Sequence, residues 1–268
     1  MFFDSHLHTF VSPDSEMDPE DVIKTLQTKN LGTIFTEHAD FVTPRRGRDL
    51  LAKDAPRGAA IDFFADFDVY PAGYSHLRCD SVLLGIEFGL TKYFLPLNKE
   101  TADKNDFDFI IGSIHFVDGW DLYRDYFNQP YEDHYARYLE YALEMVEAYD
   151  FYDSFGHIEY VSRYSTLKEK NAFYESYKKE YDALLKTIAG QGKALEINTS
   201  SFGDDVMEAN RLNICRRFCE LGGRYVTIGS DAHHLASLGR HFDKAYKIAE
   251  EAGLTPVYYK ERKAIPCK

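Results

Sequence analysis

The stretch "DSHLH", residues 4–8, decides how the rest of the chain is read. As the end of a β-strand it sends residues two apart to the same face. His6 and His8 then aim two imidazoles at one point, while Leu7 turns the other way into packing. Two imidazoles converging from a strand end suit a transition-metal ion. The plainer alternative is a short polar stretch that holds two surface histidines, and the strands that follow decide between the two.

Along all 268 residues a short apolar, β-branched run is followed by an amphipathic stretch. "MFFDSHL" (1–7) predicts a first strand. "DPEDVIKTLQTKN" (18–30) predicts a helix with acidic residues in its opening turn, as the helix dipole prefers. "GTIFTEH" (32–38) predicts the second strand, and an irregular part from 40 to 78 follows, with "TPRRGRDL" and "IDFFADFDVY" inside it. "SVLLGIEFG" (81–89) and "FDFIIGSIHF" (107–116) predict strands three and four. "YEDHYARYLEYALEMVEAYD" (131–150) predicts a long helix, with Tyr138, Leu139, Ala142, Met145 and Val146 near helical spacing. "FYDSFGHIEY" (151–160) reads as strand five, then a helix over 173–192 ends at Gly190 or Gly192. "KALEINTS" (193–200) is strand six, "ANRLNICRRFCELGG" (209–223) a helix stopped by glycines, and "YVTIGSDAHH" (225–234) strand seven. "HFDKAYKIAEEAG" (241–253) predicts the last helix.

Strands alternating with helices over the full length indicate a mainly parallel sheet in an α/β protein. Seven such units favour a barrel over an open dinucleotide-binding sheet, and no GxGxxG follows the first strand. No repeat or linker divides the chain, so 1–268 is expected to be a single domain. In barrels and open sheets alike, ligands gather at the carboxyl ends of the strands. Those ends carry His6 and His8, Glu37 and His38, Glu87, His115, His157, Glu196 and Asn198, and Asp231 and His233. Six of the ten histidines fall in this common phase. His76, His134, His234 and His241 fall outside it and read as solvated or capping histidines.

Nitrogen and carboxylate ligands without thiolate suit zinc, iron or manganese in a catalytic site. The supply, with Asp14 as a further candidate, exceeds one ion's coordination sphere, so two to three divalent ions are expected. Glu87 suits a bridging role because a carboxylate offers two oxygens.

The formal charge of −13 argues against nucleic acid as a partner. No window approaches the run of about 18 apolar residues that a membrane span needs, and the opening lacks a signal-peptide pattern. The four cysteines (Cys79, Cys215, Cys219, Cys267) have no framework spacing, which suits reduced thiols and a cytoplasmic location. No feature of the chain sets an oligomeric state.

The order HxH, "TEHAD", "GIEFG", "GSIHF", "FGHIEY" and "GSDAHH" resembles the polymerase-and-histidinol-phosphatase (PHP) superfamily over essentially the whole chain. Within it, "TEHAD" and "GHIEYVSRY" look most like the PHP-type histidinol-phosphate phosphatases. The resemblance implies a distorted (β/α)7 barrel with a trinuclear site. It implies one ion on His6, His8, Glu87 and Asp231, a second on Glu87, His115 and His157, and a third on His38, His233 and Asp14. Relatives often have histidine at the position of Asp14. The amidohydrolase superfamily also opens with HxH, but its bridging lysine after a middle strand has no counterpart here.

The activity so implied is hydrolysis of a small-molecule phosphate monoester, L-histidinol phosphate, in histidine biosynthesis. Another monoester, such as phosphotyrosine or a nucleotide, is the alternative, because a metal cluster recognises phosphate and not the alcohol. Asp231 and His233 are the expected proton handlers. Arg163, six residues after His157, is the candidate phosphate clamp, since a guanidinium grips two oxygens at once; Arg45, Arg46 and Arg48 are alternatives. Glu37, Glu196 and Asn198 are expected to receive the ammonium and imidazole of histidinol.

Overall fold

Seven parallel strands carry the architecture in the computed structural model, which describes residues 1–40, 63–64, 70–169 and 171–268. They are β1 (Phe2–Asp4), β2 (Leu31–Asp40), β4 (Val82–Gly89), β5 (Phe109–Ser113), β8 (Ser154–Phe155), β9 (Ala194–Asn198) and β10 (Tyr225–Gly229). β3 (Phe63–Phe64) adds antiparallel to the end of β2. Neighbours pair in the order β1-β2-β4-β5-β8-β9-β10, every pair parallel. The ring closes between its first and last members. The amide of Ser5 donates to the carbonyl of Ile228, Asp231 to that of His6 and His8 to that of Ala232, with Leu7 bridging Ala232. This is the distorted (β/α)7 barrel that the alternation and the resemblance predict.

Helices cover the outer face: α1 (Pro19–Thr28), α2 (Tyr70–Tyr74), α3 (Leu95–Lys104), α4 (His134–Ala148), α6 (Lys178–Gly190), α7 (Asp205–Glu220) and α8 (Phe242–Glu251), while the short α5 (Tyr160–Arg163) lies at the carboxyl end of the barrel. Asp18, Asp133 and Asp204 cap α1, α4 and α7 by accepting backbone amides of the first turn; each such cap is worth about 1 kcal/mol. The apolar stripe of α4 is buried as its spacing predicts, including Tyr138, Leu139, Ala142, Met145 and Val146. α6 ends at Gly190, and Gly192 beyond it takes the left-handed conformation that glycine tolerates best.

The barrel interior is divided into layers by strand alternation. Ile34, Leu83, Phe109, Ile111 and Ala194 form an apolar floor. Residues two or four positions further along the same strands, His38, Glu87 and Glu196, share that face and are buried above it. The apolar floor therefore supports the polar layer from below.

Several elements depart from expectation. β1 stops at Asp4, so His6 and His8 lie just past the strand, held by the closing contacts to 228–232. β8 has two residues, and the rest of "FYDSFGHIEY" turns into α5. A hairpin of β6 (Phe116–Val117) and β7 (Trp120–Asp121), the helix α3, and a terminal hairpin of β11 (Thr255–Lys260) and β12 (Lys263–Pro266) were not expected. β11 pairs parallel to β10, and its Val257 and Tyr259 complete the apolar floor. Among the described residues no helix is long and apolar enough to cross a membrane.

Candidate metal centre

At the carboxyl end of the barrel the donor atoms converge in three adjoining groups. His6 Nε2 and His8 Nε2 lie 3.3 and 3.5 Å from Glu87 Oε2, and 3.7 and 3.5 Å from Asp231 Oδ1. The other oxygen, Glu87 Oε1, lies 3.3 Å from His115 Nε2 and 2.9 Å from His157 Nε2, which are 3.3 Å from each other. Asp14 Oδ2 lies 3.4 Å from His38 Nε2 and 3.1 Å from His233 Nε2, and these two nitrogens are 3.4 Å apart. His38 Nδ1 also sits 2.9 Å from Glu87 Oε2, joining the third group to the first.

These spacings fit metal ions. Ligands about 2.1 Å from a tetrahedral ion are about 3.4 Å apart, the separation seen in all three groups. Among the described residues the buried atoms His6 Nε2 and His8 Nε2 make no hydrogen bond, although both face Glu87 Oε2 at close range. Such orphaned atoms are costly to bury without a partner, and a shared cation supplies one.

A surrounding shell fixes which nitrogen each imidazole presents. His6 Nδ1 donates to Glu196 Oε1 at 2.6 Å and His115 Nδ1 to Asp40 at 2.8 Å. His8 Nδ1 faces Ser12 Oγ at 3.3 Å, and His233 Nδ1 donates to the carbonyl of Asp231 at 3.1 Å. In each case Nε2 is left for an ion, as is usual for ligating histidines. Two glycines make room for this shell. A side chain at Gly89 would collide with the Asp40 carboxylate, and one at Gly229 with His6 and Glu196. Asp231 itself has φ +51°, a conformation uncommon outside glycine that occurs preferentially at functional sites.

The electrostatics follow from packing charges in a dry space. Burial opposes ionisation of His6, yet Glu196, Glu87 and Asp231 outweigh it and hold the imidazole well above its usual range. His115 is pushed up to about 10, against burial, by Asp40 and Glu87. Glu87 stays well below the carboxylate range because His6, His115 and His38 overcome its burial. His8 is lowered by burial and by the neighbouring His38 and His233. The metal-free cluster thus holds protons where an ion would bring charge.

The structure brings together all nine residues expected as ligands, Asp14 among them. It corrects several other expectations. Glu37 and His38 are neighbours on β2 and point to opposite faces. Glu37 is fully buried outside the barrel, accepting from the Thr9 amide and hydroxyl and from Ser12 Oγ. It steadies the 9–12 loop and meets no ligand. Glu196 faces inward but lies below the donors, with its oxygens taken by His6, the His157 amide and Asn198 Nδ2. Asn198 in turn accepts from Ser200 and faces Arg163. None of the three is placed to receive an ammonium. Arg45, Arg46 and Arg48 lie outside the described residues.

His134 is not solvated as expected: it is buried among Tyr126, Phe127 and Tyr131. His241 precedes α8 but makes no capping hydrogen bond. Asp40 escaped the sequence reading, although it stands two residues beyond His38 and so in phase with it.

A cleft of about 530 Å³ opens above the donors, lined by residues of the three donor groups, Arg163, His234 and the aromatic side chains Phe116, Tyr123, Tyr160 and Tyr164. Arg163 holds Asp231 Oδ2 at 3.1 Å, bonds Ser200 Oγ and stacks on Tyr160 with its guanidinium carbon 4.9 Å from the ring centre.

Comparison with known proteins agrees with this arrangement. Residues 4–200 match the model of the PHP domain. The chain is 37% identical to a probable histidinol-phosphatase of Clostridium acetobutylicum over 264 residues, 98% of each chain. It is 28% identical to a histidinol-phosphatase of Lactococcus lactis, covering 93% of this chain and 91% of the relative. The crystal structure of histidinol phosphate phosphatase from Lactococcus lactis, complexed with zinc, L-histidinol and phosphate, superposes with a TM-score of 0.85 at 27% identity over 98% of both chains.

Proposed function

The chain belongs to the PHP domain family, and on that premise we propose that it is a metal-dependent histidinol-phosphatase, hydrolysing L-histidinol phosphate to L-histidinol and phosphate in histidine biosynthesis. The observation that carries the chemistry is Glu87, whose two oxygens face two separate sets of imidazoles. The full-length kinship to histidinol-phosphatases supports the choice of alcohol.

In this reading His6, His8, Glu87 and Asp231 hold one divalent ion, Glu87, His115 and His157 a second, and Asp14, His38 and His233 a third, each zinc, iron or manganese. Such ions supply Lewis acidity, lowering the pKa of water and neutralising charge on phosphoryl oxygens. The side chains then have separable tasks. Glu196, Asp40 and Ser12 orient imidazoles. Arg163 grips the phosphate from the wall of the cleft, and its contact with Asp231 steadies its guanidinium there. Asp231 is poorly placed to take the proton of the attacking water, because Oδ1 faces His6 and His8, Oδ2 is held by Arg163, and these neighbours keep its carboxyl well below the usual range despite burial. His233 is less suited to the leaving oxygen than its position in the sequence implies, because Nδ1 is bound to a carbonyl and Nε2 points at the Asp14 group.

We take 1–268 as one domain, and a cytoplasmic setting is supported by four unpaired cysteines. The test is phosphate release by the remetallated protein from L-histidinol phosphate, phosphotyrosine and a nucleoside monophosphate. Histidinol phosphate is expected to have the highest kcat/KM, and preference for either of the others would replace the proposed substrate.

A further inference from the structure

With Glu37, Glu196 and Asn198 committed to the protein, the alcohol half of the substrate needs another partner, and the cleft offers one. Four aspartates line it: Asp14, Asp40, Asp121 and Asp231. Three belong to the donor groups or orient a donor. Asp121 alone among these lining carboxylates stands apart from them. The β6–β7 register places it opposite Phe116, the residue after His115, so the hairpin holds it at the rim beside the second donor group.

Its surroundings fit a ligand that is both cationic and flat. Asp121 Oδ1 accepts the Tyr123 amide at 2.8 Å, and Oδ2 has Arg124 Nε at 3.5 Å. Burial raises the Asp121 carboxyl above its ordinary value despite these contacts, so a further cation would stabilise its charge. Beside it an aromatic wall climbs out of the centre. Tyr160 packs 4.7 Å from the His157 ring, Tyr164 meets Tyr160 edge-on at 5.3 Å, and Tyr123 meets Tyr164 edge-on at 4.9 Å. Tyr123 is 64% exposed, a large aromatic surface left uncovered at a cleft mouth.

We propose that Asp121 and the Tyr123–Tyr164 wall form the leaving-alcohol subsite, Asp121 accepting the ammonium of histidinol phosphate while its imidazole lies against the tyrosines. The proposal rests on the reading of the substrate as histidinol phosphate and names the residues that select it. A carboxylate is the side chain that distinguishes an ammonium-bearing alcohol from a neutral one, and an aromatic face accepts either a flat ring or a cation.

The test uses the fully metallated protein and its Asp121→Asn and Tyr123→Ala variants on three monoesters. L-histidinol phosphate has both ammonium and ring, O-phosphoethanolamine only the ammonium, and p-nitrophenyl phosphate only the ring. Asp121→Asn keeps the acceptor for the Tyr123 amide and should lower kcat/KM by about tenfold or more for the first two, and by less than about twofold for the third. Its affinity for the product L-histidinol, read by calorimetry, should fall alongside. Tyr123→Ala should raise KM for the two ring-bearing esters and spare phosphoethanolamine.

Equal effects of Asp121→Asn on all three esters, no effect on any, or loss of bound metal would overturn the proposal. A loss confined to histidinol phosphate would overturn the ammonium assignment. Because each variant is compared with wild type on the same ester, these outcomes are separate from wild-type preference for histidinol phosphate, which tests the proposed function.

Discussion

Replacing Glu196 by glutamine separates a positioning role from a substrate-binding one. The carboxylate is buried and accepts three hydrogen bonds, from His6 Nδ1 at 2.6 Å, the His157 amide at 2.7 Å and Asn198 Nδ2 at 3.2 Å. Glutamine keeps one oxygen. Its amide nitrogen must then face either His6 Nδ1–H or the His157 amide, donor against donor. One charge-assisted hydrogen bond is lost, about 1.5–3 kcal/mol, equivalent to about 10- to 150-fold. Partners of metal-ligating histidines usually cost about 10- to 100-fold in metal affinity when removed, which brackets the same range. The loss should fall on the ion held by His6 and appear as weaker retention of zinc against a competing chelator. At saturating zinc, kcat/KM for histidinol phosphate and for p-nitrophenyl phosphate should drop by the same factor. Unchanged zinc affinity together with a loss specific to histidinol phosphate would refute this reasoning and return Glu196 to the substrate.

Glu87→Gln should lower both metal content and turnover more than Asp14→Asn, because Glu87 faces two donor groups and Asp14, part-exposed at the rim, faces one; the reverse order, by metal analysis and kinetics, would show the groups wrongly assigned. Arg163→Ala should keep its metal and lose about 10- to 150-fold in kcat/KM on every small monoester alike, since the shared phosphate is what it grips; an unchanged value would leave Arg163 as a partner of Asp231 only. His6 and His38 are held well above the usual imidazole range, His115 is pushed up to about 10 and His233 is raised, so in the metal-free chain the cluster holds protons that an ion must displace. Zinc affinity should therefore rise with pH and weaken as pH falls, and calorimetry in two buffers of different ionisation enthalpy should show more than one proton released per chain. Absence of proton release would mean that the imidazoles are already neutral.

The donor set was legible because it depends on a period of two. His38, Glu87 and His115 each follow an apolar run in the same phase, and that phase survives errors of strand length. β8 shrinks to two residues and β1 to three, yet His157, His6 and His8 still arrive at the site, since closing contacts hold the extended chain beyond the strands. Alternation was also the signal passed over at Glu37, whose neighbour His38 already occupied the inner face, and at Asp40, two residues further along. Glu196 failed for another reason. Its phase is correct, but its depth depends on how β9 is staggered against its neighbours, which one strand's pattern does not encode. The β6–β7 hairpin, which sets Asp121 at the rim, has strands of two residues each, too short for any periodicity to show. The terminal β11–β12 hairpin joins the barrel floor through contacts remote in sequence, so its place was equally out of reach.

The most direct measurement is a titration of the metal-free chain with zinc, counting ions bound while following phosphate release from L-histidinol phosphate. Two to three equivalents should bind, and turnover should rise only as the equivalents beyond the first are taken up, because Glu87 is shared between adjacent donor groups. Full activity at one equivalent or less, or undiminished activity in the presence of a chelator, would contradict a multi-ion centre.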